Sequence, residues 1–475
     1  MKACRRGEPA TVALLSLLLG ACAAPIEPVV GTDDDDPIVE PDEPNEIATQ
    51  SPIGQARPWG AAPLEPTQKT PKPQSDPAIS FGKGCEQTKW STDLPSPAIE
   101  GSVDGYTIAA RSDRGFVVSG TFEGAISVQD QVFKSHGGID IFVLAFAASG
   151  ELLWGQVLGG SFDDAIFRVR IDADNNVLLA GRRSPTPIGV AAHPAPPESF
   201  VTKLDAKGGA LWIQSLGQST SGMSLAIGPD NEAVVAGSAN HPVAIGDDEL
   251  TGPYVLAMNS AGHPRWLRDM PATDLAIDAH GAVYVAAHGL AKLDAKGGLL
   301  WERNFGDDLL EAMVRVSSDG AAVVAGKLVG TADLGGGPLT SQGTRDVVVG
   351  KLSAEGDHVW SKRFGALGNQ WTTGLAVDPH DRVMLTGTTS GWVDFGGGEI
   401  VGPKEKRFLA ILDREGGHIC SAALDPGITE TTAADQLAAD SDGRPMLTGA
   451  FIGNFEVDES TALSSEQPTG FVLRY

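Results

Sequence analysis

The chain has 475 residues, with 35 Lys and Arg against 61 Asp and Glu, a formal net charge of −26 at pH 7. A balance this acidic excludes binding nucleic acid or an anionic surface through a basic face. The length supplies ample core for a large single domain, and 59 glycines suit many short strands joined by turns.

Met1 to Cys22 reads as a targeting segment that stands outside the fold. Arg5 and Arg6 make a basic start, and Val12–Leu19 is apolar but too short to cross a bilayer as a stable helix. Leu19-Gly20-Ala21-Cys22 resembles the lipobox of bacterial lipoproteins, in which the cysteine is acylated and becomes the new N-terminus. The alternative is an ordinary cleavable signal with small residues near its end. The lipobox reading makes residues 1–21 a signal peptide and Cys22 the lipidated residue. It gives a membrane-anchored protein of the cell envelope. Ala23, in place of the aspartate that retains enteric lipoproteins at the inner membrane, favours the outer membrane by analogy.

Residues 22–79 read as a lipid-anchored tether. The segment is rich in proline, carries the run Asp33 to Asp36, and has no apolar periodicity. Such a composition cannot offset the entropy of ordering, and the Asp run suits a solvated spacer better than a cation site. From residue 80 onward the chain reads as folded. Thr88 to Leu94, centred on Trp90, looks like an outer strand without a blade of its own.

From about Gly105 to the C-terminus a unit of four short segments recurs, clearest at Asp307 to Gly365. Runs of β-formers alternate with Asp-Gly turns, as at Met313–Val316, Asp319-Gly320, Ala321–Gly326 and Asp346–Leu352. A tryptophan marks the fourth segment at Trp154, Trp212, Trp266, Trp301 and Trp360. A glycine closes the second at Gly120, Gly181, Gly237, Gly326, Gly387 and Gly449. Repeats of this length, with strands and no helix, are propeller blades. Seven second segments predict an all-β fold, a seven-bladed β-propeller of four-stranded antiparallel blades over about residues 102–475. The last unit lacks a fourth segment, so an N-terminal strand is expected to complete it, because an open blade leaves an unpaired edge.

The unit resembles the bacterial seven-bladed propeller repeat, the SBBP type, found in secreted and surface proteins and notably in myxobacteria. The matching pieces are Ala376-Val-Asp378, Met384-Leu-Thr-Gly387, Val393-Asp-Phe-Gly396, Asp346-Val-Val-Val and Trp360-Ser-Lys-Arg-Phe-Gly365. The resemblance implies a surface lipoprotein and brings no catalytic motif. The fourth unit departs from it with Ala287 for the glycine and no long connection, and the sixth has Cys420 in place of the tryptophan.

Cys85 and Cys420 form an even pair in an exported chain and are a disulfide candidate. The recurring tryptophans are expected to pack between sheets. Tight turns within each blade leave the longer connections on the opposite face, where binding sites are usually built. There Asp163, Asp164, Asp274, Asp307, Asp308, Glu311 and Asp435 would form an acidic funnel able to hold a ligand or cation, with Trp371 and Trp392 beside it. The competing explanation is turn chemistry, for which aspartate is well suited.

No catalytic residue and no metal set stands out. Gly217-Gln-Ser219 is not a nucleophile elbow, Gly320 to Leu328 fails the phosphate-loop spacing, and the nine histidines never pair at ligand spacing. Asp172 to Asn176 imitates half a calcium loop without its glycine or distal glutamate, so it reads as a hairpin and no cofactor is expected. Two functional classes remain. One is a monomeric, non-catalytic surface scaffold that binds a protein or glycan and no nucleic acid. The alternative is an envelope enzyme that acts on polysaccharide or peptide with funnel carboxylates as acid and base.

Overall fold

The computed structural model describes residues 99, 103–184, 197–218, 223–245, 248–401, 406–424, 426–428, 436–458 and 461–474. All regular structure among them is β-strand, arranged as seven four-stranded antiparallel blades. Blade one shows the plan: Val103–Ala110, Phe116–Phe122, Asp140–Phe146 and Leu152–Leu158 pair in that order from the axis outward. The innermost strands of the next six blades are Ala165–Ile171, Ser224–Ile227, Asp274–Ile277, Leu309–Val316, Gln370–Val377 and Gln436–Ala439. Each touches the one before it, and the last touches Val103–Ala110, so the ring closes.

The core is divided in the same way. Seven separate apolar clusters lie between successive blades, such as Tyr284, Leu309, Val324 and Val348 between blades four and five. No blade buries both faces by itself, which makes the repeat a unit of assembly rather than a small domain.

The recurring sequence marks acquire physical reasons. In five blades the glycine of the second strand lies directly opposite an aromatic residue of the third: Gly120 opposite Phe142, Gly181 opposite Phe200, Gly237 opposite Tyr254, Gly387 opposite Phe408 and Gly449 opposite Phe471, whereas Gly326 of blade five lies opposite Val348. A side chain on Gly387 would stand 2.6 Å from the Phe408 ring and 2.1 Å from the Trp371 carbonyl oxygen, so only glycine admits the ring. Blade four inverts the arrangement. Ala287 takes the glycine's place and its N–H donates to the carbonyl of Gly289, which takes the aromatic's.

The five tryptophans hold adjacent blades together, as their regularity predicts. Each indole N–H donates to a carbonyl in the third-to-fourth turn of the following blade, from Trp154 to Ala206, Trp212 to Ser260, Trp266 to Ala295, Trp301 to Ala354 and Trp360 to Arg414. Its ring covers a left-handed glycine of that same turn, respectively Gly208, Gly262, Gly297, Gly356 and Gly416. Blade six carries Cys420 at the tryptophan's position, opposite Ile411. Cys420 is buried and disulfide-bonded, and its partner lies outside the described residues, as does Cys85.

Ring closure is visible at Ile99. Its N–H and C=O exchange hydrogen bonds of 3.1 and 3.0 Å with Gly470 on the third strand of blade seven, and its side chain sits in the core between blades seven and one. The expected closing strand Thr88–Leu94 lies outside the described residues. Ile99 occupies the place that Leu158, Phe364 and Leu424 hold in their blades. Trp154 and Trp360 precede Leu158 and Phe364 by four residues, and four before Ile99 is Pro95.

Candidate functional site

The site is built from the ends of the innermost strands. On the face of tight turns, the axial opening widens into a cavity of about 810 Å³ bounded by Ala110, Ile171, Ile277, Val316, Val377 and Ala439. Each of these is the last residue of an innermost strand, so the strand ends make its floor and the hairpins its rim.

The rim is acidic in sequence and neutralised in structure. Asp172, Asp278, Asp378 and Asp440 open their hairpins, and one carboxylate oxygen of each accepts two backbone N–H groups two and four residues on. The second oxygen takes a cation: Lys203 at 2.7 Å on Asp172, Lys292 at 3.2 Å on Asp278, Arg382 at 2.6 Å on Asp378, and Arg474 on Asp440. Blade five uses Ser317 at the hairpin start and Asp319 two residues later, paired to Lys351 at 3.1 Å. Burial works against the charge of Asp319, but Ser317, the Ala321 N–H and Lys351 outweigh it and bring its pKa down to about 2. Burial likewise opposes the charge of Asp172, and Lys203 with Asn176 holds its pKa below the ordinary value. Lys203, Lys292 and Lys351 occupy the same register, each directly opposite the blade's tryptophan.

The half calcium loop is thus one member of this hairpin ring. Both oxygens of Asp172 are engaged, by its own turn and by Lys203. Among the described residues no group of three or more His, Cys, Asp or Glu is placed to hold a metal ion.

Behind the cavity floor stands a group of cations. The penultimate residue of the innermost strand is Ala109, Ala226, Ala276, Ala376 or Ala438 in five blades, and Arg170 and Arg315 in blades two and five. Arg168 lies two residues before Arg170, on the same side of its strand. Arg315 donates to Asp274 at 2.6 Å across the blade boundary. Asp274 also accepts from the Ser224 hydroxyl at 2.9 Å and the Val314 N–H at 3.2 Å, so one carboxylate joins three blades. Its burial, at 1% exposure, would raise its pKa, but Arg315, Arg168 and Arg170 together hold it down.

The residues expected to form an acidic funnel on the opposite face are dispersed and bonded. Asp163 accepts the Ile139 N–H at 3.0 Å. Asp164 is buried and accepts from the Ser184 and Gly160 N–H groups, and burial pushes its pKa up to about 7. Asp274 turns out to belong to the axial arginines. Asp308 accepts the Thr331 N–H at 2.7 Å, and Glu311, in a left-handed bulge, pairs with Lys327 at 2.7 Å. Asp307 is exposed, and Asp435 lies outside the described residues. Trp371 is half-buried on an innermost strand, opposite Thr388. Trp392 is 41% exposed on a small extra hairpin, opposite Val401. The axial arginines were missed because inward-pointing positions emerge only once the seven strand ends are aligned past the bulge at Phe167.

No family model and no curated protein sequence matches the chain. Solved structures with a similar backbone include a europium-containing methanol dehydrogenase, 10% identical over 84% of this chain and 93% of that one, TM-score 0.41. A streptogramin B lyase is 10% identical over 81% of this chain and 99% of that one, TM-score 0.41. A protein of unknown function from Bacteroides caccae is 14% identical over 61% of this chain and 92% of that one, TM-score 0.33. At such values the likeness says nothing about the chemistry of the site.

Proposed function

We propose that this protein is an SBBP-type surface lipoprotein, held in the cell envelope through Cys22 and acting as a non-catalytic scaffold that binds a ligand at the axial opening of its propeller. The observation that carries the reading is the state of the rim carboxylates. General acid–base catalysis wants a carboxyl poised near the working pH and within reach of substrate. Asp172 and Asp319 have lowered pKa values, and both are fastened by lysine and backbone. A rigid rim around an 810 Å³ cavity suits recognition, since it offers preorganised polar groups without an activated one. A surface-exposed segment of protein or a glycan fits such an opening.

The test is a glycan and peptide array probed with the soluble chain from Ala23 onward, run beside a hydrolysis screen on the same ligands. Binding without turnover is expected, and turnover of any polysaccharide or peptide would overturn the scaffold reading. The address is tested separately. Cys22→Ser should release the protein from the membrane fraction or leave it unprocessed, and unchanged membrane association would count against a lipid anchor.

A further inference from the structure

The net charge of −26 makes a cluster of arginines on the axis conspicuous. Arg168 and Arg170 come from blade two, Arg315 from blade five and Asp274 from blade four. Three cations thus face a single carboxylate, and that carboxylate is taken up by Arg315 at 2.6 Å. Arg168 and Arg170 each donate one N–H to the carbonyl of the preceding residue, at 2.8 and 2.9 Å. Neither has an ion-pair partner among the described residues. Both remain partly accessible.

We propose that the axial channel binds a small oxyanion, a phosphate, sulfate or carboxylate group, between the guanidinium groups of Arg168, Arg170 and Arg315. Guanidinium forks on one strand at successive inward positions are roughly 7 Å apart at the backbone, close enough to converge on one oxyanion. Arg315 is offered from across the axis, already oriented by Asp274. The other five blades place alanine at the level of Arg170 and Arg315, so only these two carry a long cation there. Entry is through the 810 Å³ cavity, whose floor residues Ile171 and Val316 directly follow Arg170 and Arg315 in sequence. Of the aspartates passed on the way, Asp172, Asp278, Asp319, Asp378 and Asp440 are already paired with cations, and Asp381 accepts from the Ser318 N–H and hydroxyl.

Electrostatics agree with the geometry. Burial first, and then Arg315, bring the Arg170 pKa down to about 9, with Asp274 opposing. Burial also lowers that of Arg168. Guanidinium groups keep their proton at neutral pH regardless, so Arg168 and Arg170 stay cationic, and sequestration from water would strengthen each contact with a bound anion. The inference rests on reading the axial opening as a binding site. Its failure is separable from that of the scaffold reading, because it is tested with simple anions and without the array.

The experiment is thermal unfolding of the soluble chain in chloride, phosphate, sulfate and succinate at matched ionic strength, titrated to saturation. At least one oxyanion should raise the melting temperature saturably above chloride, with phosphate or sulfate against succinate telling a tetrahedral group from a carboxylate. Arg170→Gln should weaken the apparent affinity about tenfold or more, and should melt no lower than the parent in chloride because it removes a cation that has no ion pair among the described residues. The exposed Arg114→Gln, 60% accessible beside Asp442, should leave the anion response intact. Equal stabilisation by all four salts would overturn the proposal. So would a response that survives in Arg170→Gln, or one lost equally in Arg114→Gln.

Discussion

Gly356→Ala tests the logic of the blade junction most directly. Gly356 has φ +83°, and a Cβ built there falls 2.9 to 3.0 Å from three atoms of the Trp301 ring. Two penalties follow. A left-handed backbone costs an L-residue about 1–2 kcal/mol, and forcing a methyl into a packed ring costs about 1–3 kcal/mol more. Gly124→Ala separates them, since Gly124 has φ +79° with nothing within 4 Å of the added carbon, and so carries only the first. Trp301→Ala loses a half-buried ring and the indole hydrogen bond to Ala354, 3.0 Å, for about 2–4 kcal/mol, toward the lower side of the range for a buried tryptophan. In the double variant the clash has no ring to meet, so only the backbone strain remains. The sum of the single effects should then exceed the double by about 1–3 kcal/mol, well outside the ~0.5 kcal/mol within which independent sites add. Urea midpoints at constant m measure this. Strict additivity, or a Gly356→Ala no worse than Gly124→Ala, would refute the junction.

Lys203→Met should destabilise by about 3–5 kcal/mol, because it strands the buried Asp172 carboxylate without its cation; adding Asp172→Asn should recover part of the loss in the same urea measurement. The Asp172 pKa is lowered in the folded state, so its contribution is present above the unfolded value of about 3.8 and lost as pH falls through the folded one. In Lys203→Met that acid limb should flatten. Asp164 gives the opposite sign. Its pKa rises to about 7 on folding, chiefly through burial, so the folded state holds the extra proton and stability declines as pH climbs from about 4 to about 7. Melting temperatures of the parent at pH 5 and pH 8 should differ more than those of Asp164→Asn, and an unchanged difference would show that Asp164 does not titrate in this window.

The blades were legible in the sequence because a propeller repeats its junctions, and each junction needs the same residues. The tryptophan requires a glycine in the next turn, and in five blades the second-strand glycine admits an aromatic opposite, so both recur at readable intervals. Departures were legible too, though not their reasons. Ala287 looks like a lost glycine until its partner proves to be Gly289, so that the small residue has moved across the ladder. Cys420 looks like a lost tryptophan and proves to be buried and disulfide-bonded. The closing strand was harder. Trp90 in Trp-Ser-Thr-Asp-Leu matches the Trp360 segment well but lies outside the described residues, and Ile99 is the described residue that bonds Gly470. A strand joined only by long-range pairing has no turn to fix its register.

The bonding of the site residues is not legible in the sequence for a different reason. Aspartates were placed correctly near loops, but a carboxylate's role depends on what its second oxygen meets, and that partner comes from another strand or another blade. Lys203, Lys292 and Lys351 sit on third strands whose sequence reads as apolar core, and their significance appears only when each is found opposite a tryptophan and beneath a hairpin aspartate. The same holds with sign reversed on the axis. A repeat that sets alanine at one inward level in five blades and arginine in two is breaking its own pattern where seven strands converge. Among the described residues the one carboxylate bonded there is Asp274, which Arg315 holds at 2.6 Å, and that break in the repeat is the reason to test simple anions at the axis.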